Sequence, residues 1–375
     1  MNQICRMLFT VCVGLLCCIL TATPVEARAG CPAASPMDFV SDDAALNACL
    51  AAGGTISLSA GSPGYIVETG LILTVPGTIF EGTGVAGQTP SIVAHPSLRA
   101  PVLRVPYVSG FTIRHLRFDG NKANRSAYLS DCSGSTYDAR THGYNLKVGG
   151  SNFTIEFLQI VNAMCGSALE VDGYGFTVRQ SSFVSNGWSN GTNIPGSYAD
   201  GLTIVYCHNG VIEDNTLVDS TDVALIVGPG TGTCVVRRNS IQQLGASAFA
   251  GLMVGFGDHA NGATHQGLSM TSNAVYANYN RLIFGVMVGN HPWGADVVTT
   301  NAGSIQYNDL QGAVVLAAID GISAGTFLNN TGANPQGDWM FPNCALGVPY
   351  TAGHFGSATI QPGWVARTYH GACTP

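Results

Sequence analysis

Two aspartates, Asp200 and Asp222, stand 22 residues apart, in the contexts Asp-Gly-Leu and Asp-Val-Ala. If the chain repeats with that spacing, the two carboxylates lie close together. Two close like charges raise the pKa of one of them, and a carboxyl with a raised pKa can act as the acid in glycan cleavage. The alternative role is structural, because Asp also favours tight turns next to Gly.

Lys147 and Glu170 stand 23 residues apart, each between two apolar residues, in Leu-Lys-Val and Leu-Glu-Val. In a strand, that alternation buries the flanking residues and points both charges outward. On neighbouring strands the two side chains are about 5 Å apart. Glu170 is then a third candidate carboxylate for hydrolysis, and Lys147 is a candidate base for β-elimination. An exposed salt bridge explains the same pattern.

Aromatic, imidazole and guanidinium groups concentrate in the long segments between the strand-like runs. Sugar rings stack on aromatic faces, and histidine exchanges protons near neutral pH. Arg140 is an alternative to Lys147 as the base for elimination, because uronate chemistry needs a cation beside the carboxylate. Any single one of these groups is better explained as an ordinary loop residue, but their concentration in the inserts predicts a set of substrate-binding residues: His142, Arg140, Trp188, Tyr198, His259, His291 and Trp293.

These residues sit on a repeat. An aliphatic residue, two variable residues, Asn, one variable residue and a second aliphatic residue recur around Asn215, Asn239, Asn273 and Asn308. Three earlier copies keep the apolar anchors without the Asn. The copies follow one another at intervals of about 23 residues, or about 34 or 42 where a loop is inserted. Such periods indicate stacked units that share one core, and the β-branched residues predict strands.

The predicted fold class is all-β, a single-stranded right-handed parallel β-helix. The asparagines should stack at a turn, where Asn tolerates the left-handed conformation. A second family of strands precedes the Asn-bearing segments and should form another parallel sheet. Inserts 120–142 and 186–198 come just before this second family, and inserts 256–266 and 290–301 come just after it. We expect the inserts to form two walls over a strand floor, a groove suited to an extended polymer.

The start of the chain supports the same fold. The segment 41–54 has the signals of a capped helix with a glycine stop, followed by short strands, Gly64-Tyr65 and Gly82-Thr83-Gly84. This order resembles the N-terminal cap of the pectate-lyase-like superfamily of right-handed β-helices. The resemblance implies a helix that seals the first coil. That superfamily contains hydrolases, lyases, epimerases and non-catalytic adhesins or tail fibres, so the fold alone does not select an activity.

The aspartates carry a second resemblance. Tyr198-Ala199-Asp200-Gly201-Leu202 and Thr221-Asp222-Val223-Ala224 are similar to the motifs NTDG(I/L) and DDC.A(I/L) of polygalacturonase-type glycoside hydrolases. The resemblance implies that Asp200 and Asp222 are members of the acid–base set. Thr221 replaces the other aspartate of the second motif, and the motifs GHG and RIK are absent downstream. The inverting arrangement of acid and water-activating base is therefore not fully supplied by matching residues.

Arg6, the apolar run 7–20 and the small-x-small ending at Ala29 predict a secretory signal peptide, too short for a transmembrane span. Without it, eight cysteines remain, an even number that predicts disulfides in an exported protein. Neighbours in sequence suit a stack of coils. The expected pairs are Cys31–Cys49, Cys132–Cys165, Cys207–Cys234 and Cys344–Cys373.

Composition excludes several partners. Acidic residues outnumber basic ones by 22 to 15, which disfavours a nucleic-acid partner. No cysteine or histidine spacing suggests a zinc site. We expect no cofactor, and calcium is not indicated. No membrane association is expected, and we expect a monomer.

We predict four segments: a signal peptide (1–29), an N-terminal cap with the first coils (30–101), the β-helix (102–334) and a disulfide-linked C-terminal cap (335–375). The predicted function is a secreted or periplasmic enzyme, a hydrolase or lyase, that cleaves an extracellular polysaccharide in the groove. The alternative is a non-catalytic glycan-binding or adhesion protein on the same fold.

Overall fold

The chain is a right-handed parallel β-helix in a computed structural model that describes residues 29–31, 33–83, 89–128, 132, 141–188, 198–255, 264–278, 281–289, 300–319, 322–333, 339–341, 359–360, 362 and 366–368. Its strands form three parallel sheets, here called A, B and C. Each complete coil contributes one strand to A, then one to B, then one to C.

The strands of each sheet follow one another in chain order. Sheet A contains Ala29–Gly30, Thr55–Leu58, Ile79–Gly82, Thr112–Arg114, Thr154–Glu156, Thr177–Arg179, Gly210–Glu213, Cys234–Arg237, Leu268–Thr271, Thr300–Gln306, Ile322–Leu328 and Thr359–Ile360. Sheet B contains Tyr65–Val67, Ser91–Ala94, Arg117–Asp119, Gln159–Val161, Ser182–Val184, Thr216–Val218, Ser240–Gln243, Ala274–Ala277, Asp309–Gln311 and Thr331–Ala333. Sheet C contains Leu71–Ile72, Leu103–Ser109, Leu146–Ser151, Gly166–Tyr174, Ala199–His208, Val223–Val227, Ala248–Val254, Leu282–Val288, Val315–Ile319, Trp339–Phe341 and Ala366–Thr368.

The repeated Asn motif therefore spans two strands that belong to two different sheets. Ile212 lies in sheet A, Leu217 lies in sheet B, and Asn215 occupies the turn between them. The expected second strand family is sheet C, as predicted. We expected two sheets; the third arises because each Asn motif bends in its middle.

The asparagines form a continuous buried ladder at this turn. The side-chain amide N–H of Asn215 donates to Oδ1 of Asn239 at 2.9 Å. The amide N–H of Asn239 donates in the same way to Oδ1 of Asn273, also at 2.9 Å. The series continues through Asn308 to Asn330, also at 2.9 Å. Each amide also donates to a backbone carbonyl of the preceding coil, such as Ile212 O for Asn239. The predicted stack is confirmed and contains one more member than the motif identified.

The left-handed conformation belongs to the residue before each ladder asparagine. Asp214, Arg238, Ser272 and Tyr307 have φ values between 54° and 57°. The expectation that the ladder asparagines take this conformation is therefore wrong. They are needed for their two donors and their acceptor, whereas the preceding residue makes the bend.

The inner faces of the three sheets pack into one apolar core. The helix Asp43–Ala52 buries Leu46 and Leu50 in that core beside the first coil. It ends at Gly53, whose φ is 70°. The described residues include three short 3-10 helices before the sheet C strand Leu146–Ser151: Lys122–Asn124, Ser126–Tyr128 and Thr141–Gly143. No helix among the described residues is long and apolar enough to cross a membrane.

Three of the expected cysteine pairs are bonded in the structure. They are Cys31–Cys49, Cys132–Cys165 and Cys207–Cys234, with Cα–Cα distances of 6.0, 5.9 and 5.7 Å. Cys207 lies near the end of the strand Ala199–His208, and Cys234 begins the strand Cys234–Arg237 and pairs with Gly210, so this bond joins neighbouring turns of the β-helix. Cys344 and Cys373 lie outside the described residues.

Candidate functional site

The outer face of sheet C brings Lys147 and Glu170 together. The strands Leu146–Ser151 and Gly166–Tyr174 pair with Lys147 opposite Glu170. Lys147 Nζ lies 3.2 Å from Glu170 Oε1. Leu146 and Val148 are buried in the core on the opposite face, because side chains alternate along a strand. On the preceding strand the register partner of Lys147 is Arg104.

A concavity of about 380 Å³ lies over these strands. Its polar lining consists of two cations, two carboxylates and one phenol: Arg104, Lys147, Glu170, Asp172 and Tyr107. The mixed charges present hydrogen-bond donors and acceptors at the same surface, which suits a ligand that carries hydroxyl and carboxylate groups.

Tyr107 is held across this concavity. Its φ of 51° is left-handed, and its ring lies over Gly149, where a Cβ would stand 3.5 Å from the ring. Its hydroxyl donates a hydrogen bond to Asp172 on the next strand but one. That bond, followed by burial and the negative charge of Asp172, raises the pKa of Tyr107. The phenol therefore stays protonated and can serve as a donor.

Asp200 lies on the same sheet at the start of the strand Ala199–His208. Its Oδ2 accepts hydrogen bonds from Thr203 Oγ1 at 2.9 Å and Ser167 Oγ at 3.3 Å. Its Oδ1 accepts one from the Val223 backbone N–H at 3.2 Å. Burial, and next the charge of Asp222, raise the pKa of Asp200 well above its usual range.

Asp222 precedes the next strand of sheet C and is partly buried. Burial raises its pKa to about 6. Leu202 pairs with Leu225, so Asp200 is level with Val223 and Asp222 is one residue out of register. The two carboxyls are thus diagonal neighbours. Burial of both groups and the charge of Asp222 on Asp200 favour protonated carboxyls, so the pair holds a proton to a higher pH than an exposed aspartate does.

The outer face of sheet C changes character at this pair. Beyond Asp222, the outward positions are apolar and buried in a second cluster that includes Ile226, Met253 and Met287. These residues follow Thr203 in one register column. The predicted strand floor is therefore covered at these later strands. Val223–Val227 is apolar at every position because both of its faces are buried.

Of the seven predicted substrate-binding residues, three lie among the described residues and four do not. Tyr198 is 38% exposed and stands two residues before Asp200. His142 is half-buried, and its carbonyl accepts a hydrogen bond from buried Arg125. Trp188 packs against the disulfide Cys132–Cys165 and Met164, as a structural residue does. Outside the described residues lie Arg140, His259, His291 and Trp293.

Sequence reasoning missed Arg104, Tyr107 and Asp172. Arg104 had a detectable signal, since Leu103-Arg104-Val105 repeats the pattern of Leu-Lys-Val and Leu-Glu-Val. Tyr107 had none, because the register between its strand and the next shifts at an irregularity. Among the described residues, no group of three or more His, Cys, Asp or Glu is placed to hold a metal ion.

No protein-family model matches the sequence, and no curated protein matches it. Solved structures are similar to the chain. The A-module of mannuronan C-5 epimerase AlgE6 from Azotobacter vinelandii is 19% identical, over 83% of this chain and 79% of that chain, with a TM-score of 0.59. The endo-xylogalacturonan hydrolase from Aspergillus tubingensis is 16% identical, over 90% and 93%, with a TM-score of 0.51. Both are right-handed parallel β-helices, and at these identities the similarity concerns the fold.

Proposed function

We propose that this protein is a polysaccharide-active enzyme that works outside the cytoplasm and binds an extended glycan on the polar part of sheet C's outer face. The observation that carries the proposal is the concavity of about 380 Å³ with Lys147 and Glu170 in register on its floor. The Asp200–Asp222 pair lies at the end of the same polar surface.

The chemistry we assign is hydrolysis. The raised pKa values of Asp200 and Asp222 favour one protonated carboxyl, which can protonate a departing glycosidic oxygen, while the ionised partner accepts a proton from water. Lys147 and Arg104 attract an acidic sugar through its carboxylate. Glu170 accepts hydrogen bonds from sugar hydroxyls and holds Lys147 in place.

Two further facts support the proposal. Both fold neighbours described above are named for activity on a uronate-containing glycan, mannuronan and xylogalacturonan, which agrees with the cations Arg104 and Lys147. The predicted signal peptide and the three disulfides agree with an oxidising compartment.

A second candidate, a non-catalytic glycan-binding protein, is favoured by one specific observation. Both oxygens of Asp200 accept hydrogen bonds from the chain itself, from Thr203, Ser167 and Val223. A carboxyl with these hydrogen bonds can be a structural group that holds the start of the strand Ala199–His208 against its neighbours. The protein would then bind a glycan without cleaving it.

The test is a screen of the purified protein on acidic and neutral polysaccharides, with new reducing ends and ultraviolet absorbance of unsaturated uronates as separate readouts. We expect reducing ends without absorbance on an acidic glycan. Asp200→Asn and Asp222→Asn should each lower kcat by orders of magnitude and leave glycan affinity nearly unchanged.

The matched control is Asp309→Asn, the same substitution at an exposed position on sheet B. Full activity in well-folded Asp200→Asn and Asp222→Asn would refute the hydrolytic assignment. An absorbing product would move the catalytic role to Lys147 as base. Binding by the wild type without either product would establish the second candidate instead.

A further inference from the structure

Exposed aromatic side chains line the carboxyl ends of two neighbouring strands of sheet C. Tyr174 is 52% exposed and Tyr206 is 45% exposed. Their strands pair so that Asp172 lies opposite Tyr206, and Tyr174 lies opposite His208. Large aromatic residues normally lose their water contact on folding, so a group that stays exposed on a sheet needs a reason.

The rings are arranged as an ordered set, here called the aromatic platform (Tyr174, Tyr206 and His208). Tyr206 and His208 are two residues apart on one strand, so both point outward. Their rings are nearly parallel, at 16°, with centroids 5.8 Å apart. The ring of Tyr174 lies 6.4 Å from that of His208, tilted by 35°.

Although exposed, the platform is fixed from below. Cys207, between Tyr206 and His208, forms the disulfide with Cys234 that joins neighbouring coils. His208 Nδ1 accepts a hydrogen bond from the Thr231 backbone N–H at 2.8 Å. That bond places the proton of the neutral ring on Nε2, where it can donate to a ligand. A His208 ring held in this way loses little conformational entropy on binding.

The platform continues the concavity along the strands. Asp172, the register partner of Tyr206, lines the concavity and accepts the hydrogen bond from Tyr107. Val205, the residue before Tyr206, also lines the concavity. A ligand that leaves the concavity toward the strand ends meets Tyr206 next.

We propose that the aromatic platform is a carbohydrate-stacking subsite, which holds a pyranose ring of the same glycan next to the unit in the concavity. The C–H face of a pyranose packs on an aromatic face, and its rim hydroxyls need acceptors and donors such as Asp172 and His208 Nε2. The glycan then runs along the strands of sheet C, from the charged floor toward Tyr206 and His208. This inference rests on the proposed function, because it concerns the same ligand.

The test compares Tyr206→Ala and Tyr174→Ala with Tyr276→Ala and Tyr307→Ala. The two controls are also exposed tyrosines, at 51% and 61%, but they lie on sheet B and at the turn between sheets A and B. Kd for the glycan that the wild type binds is measured by titration calorimetry, with oligosaccharides of increasing length. Each variant's fold is checked by its circular dichroism spectrum and Tm.

We expect Tyr206→Ala to raise Kd at least about fivefold for long chains, with no change for the shortest oligosaccharide that binds. Tyr206→Phe should bind nearly as tightly as the wild type, because the stacking face remains. Both control variants should bind as the wild type does.

Three results would overturn the platform. They are an unchanged Kd in Tyr206→Ala, an equal loss in the control variants, or an equal loss at every oligosaccharide length. These outcomes leave the proposed function standing, since the wild type still binds. No binding of any polysaccharide by the wild type overturns the proposed function and the platform together.

Discussion

Asn239→Ala tests the ladder where it is most connected. In the wild type, Asn239 Oδ1 accepts hydrogen bonds from the backbone N–H of Asn215 at 3.1 Å and from its side-chain amide at 2.9 Å. Alanine supplies no acceptor, so two buried donors of Asn215 are left unpaired. Each buried unpaired donor costs roughly 1–3 kcal/mol. The freed carbonyl of Ile212 adds less, because a carbonyl oxygen has a second lone pair.

The free energy of unfolding should therefore fall by about 2–6 kcal/mol in Asn239→Ala. The loss in Asn239→Ala can be compared with the loss at another member of the ladder. Asn215 is its first member, and its Oδ1 accepts one bond, from the Ser181 N–H at 3.1 Å. Asn215→Ala leaves that single donor unpaired and should cost about half as much. The double variant should cost less than the sum, since it also removes one of the stranded donors.

Guanidinium unfolding measures these differences as midpoint shifts at constant slope. Asn278→Ala is the matched control: its amide also bridges two coils, to Leu244 O at 2.6 Å, but it is exposed to water. The Asn215 amide should exchange its hydrogen faster in Asn239→Ala. Equal midpoints for Asn239→Ala and Asn278→Ala, or an unchanged exchange rate at Asn215, would refute the ladder as a source of stability.

Two further predictions concern the pH dependence of stability and the disulfide Cys207–Cys234. Burial raises the folded pKa of Asp222 to about 6, so the folded state binds more protons than the unfolded state between about pH 4 and pH 6. Its contribution to stability is complete below pH 4 and is lost as the pH rises through 6. Asp222→Asn should thus unfold at higher denaturant than the wild type at pH 8 but not at pH 4, and the same difference at both pH values would contradict this. Replacing Cys207 and Cys234 by Ser opens a loop of 27 residues and should cost about 3 kcal/mol, measured by the unfolding midpoint; a midpoint equal to that of the oxidised wild type would contradict it.

The sequence was sufficient for the fold because the ladder needs one residue type at one place. Only asparagine offers two amide donors and an acceptor on a short side chain, so Asn239 and its relatives were visible. Asn330 escaped because its second anchor is Gly332, which is not aliphatic. The third sheet escaped because the bend is made by Asp214, Arg238, Ser272 and Tyr307, which share no chemistry. Because the stacking of the coils imposes the left-handed conformation, residues of different types occupy these positions and the sequence shows no pattern there.

The candidate site was predictable where strand alternation is strict and unpredictable where it breaks. Lys147 and Glu170 each stand between core residues, and they fell in register as expected. Asp200 and Asp222 were close in spacing, yet the coil between their strands is 23 residues long, not 22, which set them one position apart. Tyr107 reached the site through an irregular pairing.

A solenoid separates the demands of stability and function by face. The inner positions and the Asn ladder must repeat, because each coil's donors are satisfied by the next. The outer positions of sheet C carry no such constraint, and they change from Arg104, Lys147 and Glu170 through Thr203 to Ile226. The change from charged to apolar side chains falls between Glu170 and Ile226, at the strand that carries Asp200 and the strand that Asp222 precedes. Carboxyls at that border are withdrawn from water, and this burial is the main reason why the pKa values of Asp200 and Asp222 are raised.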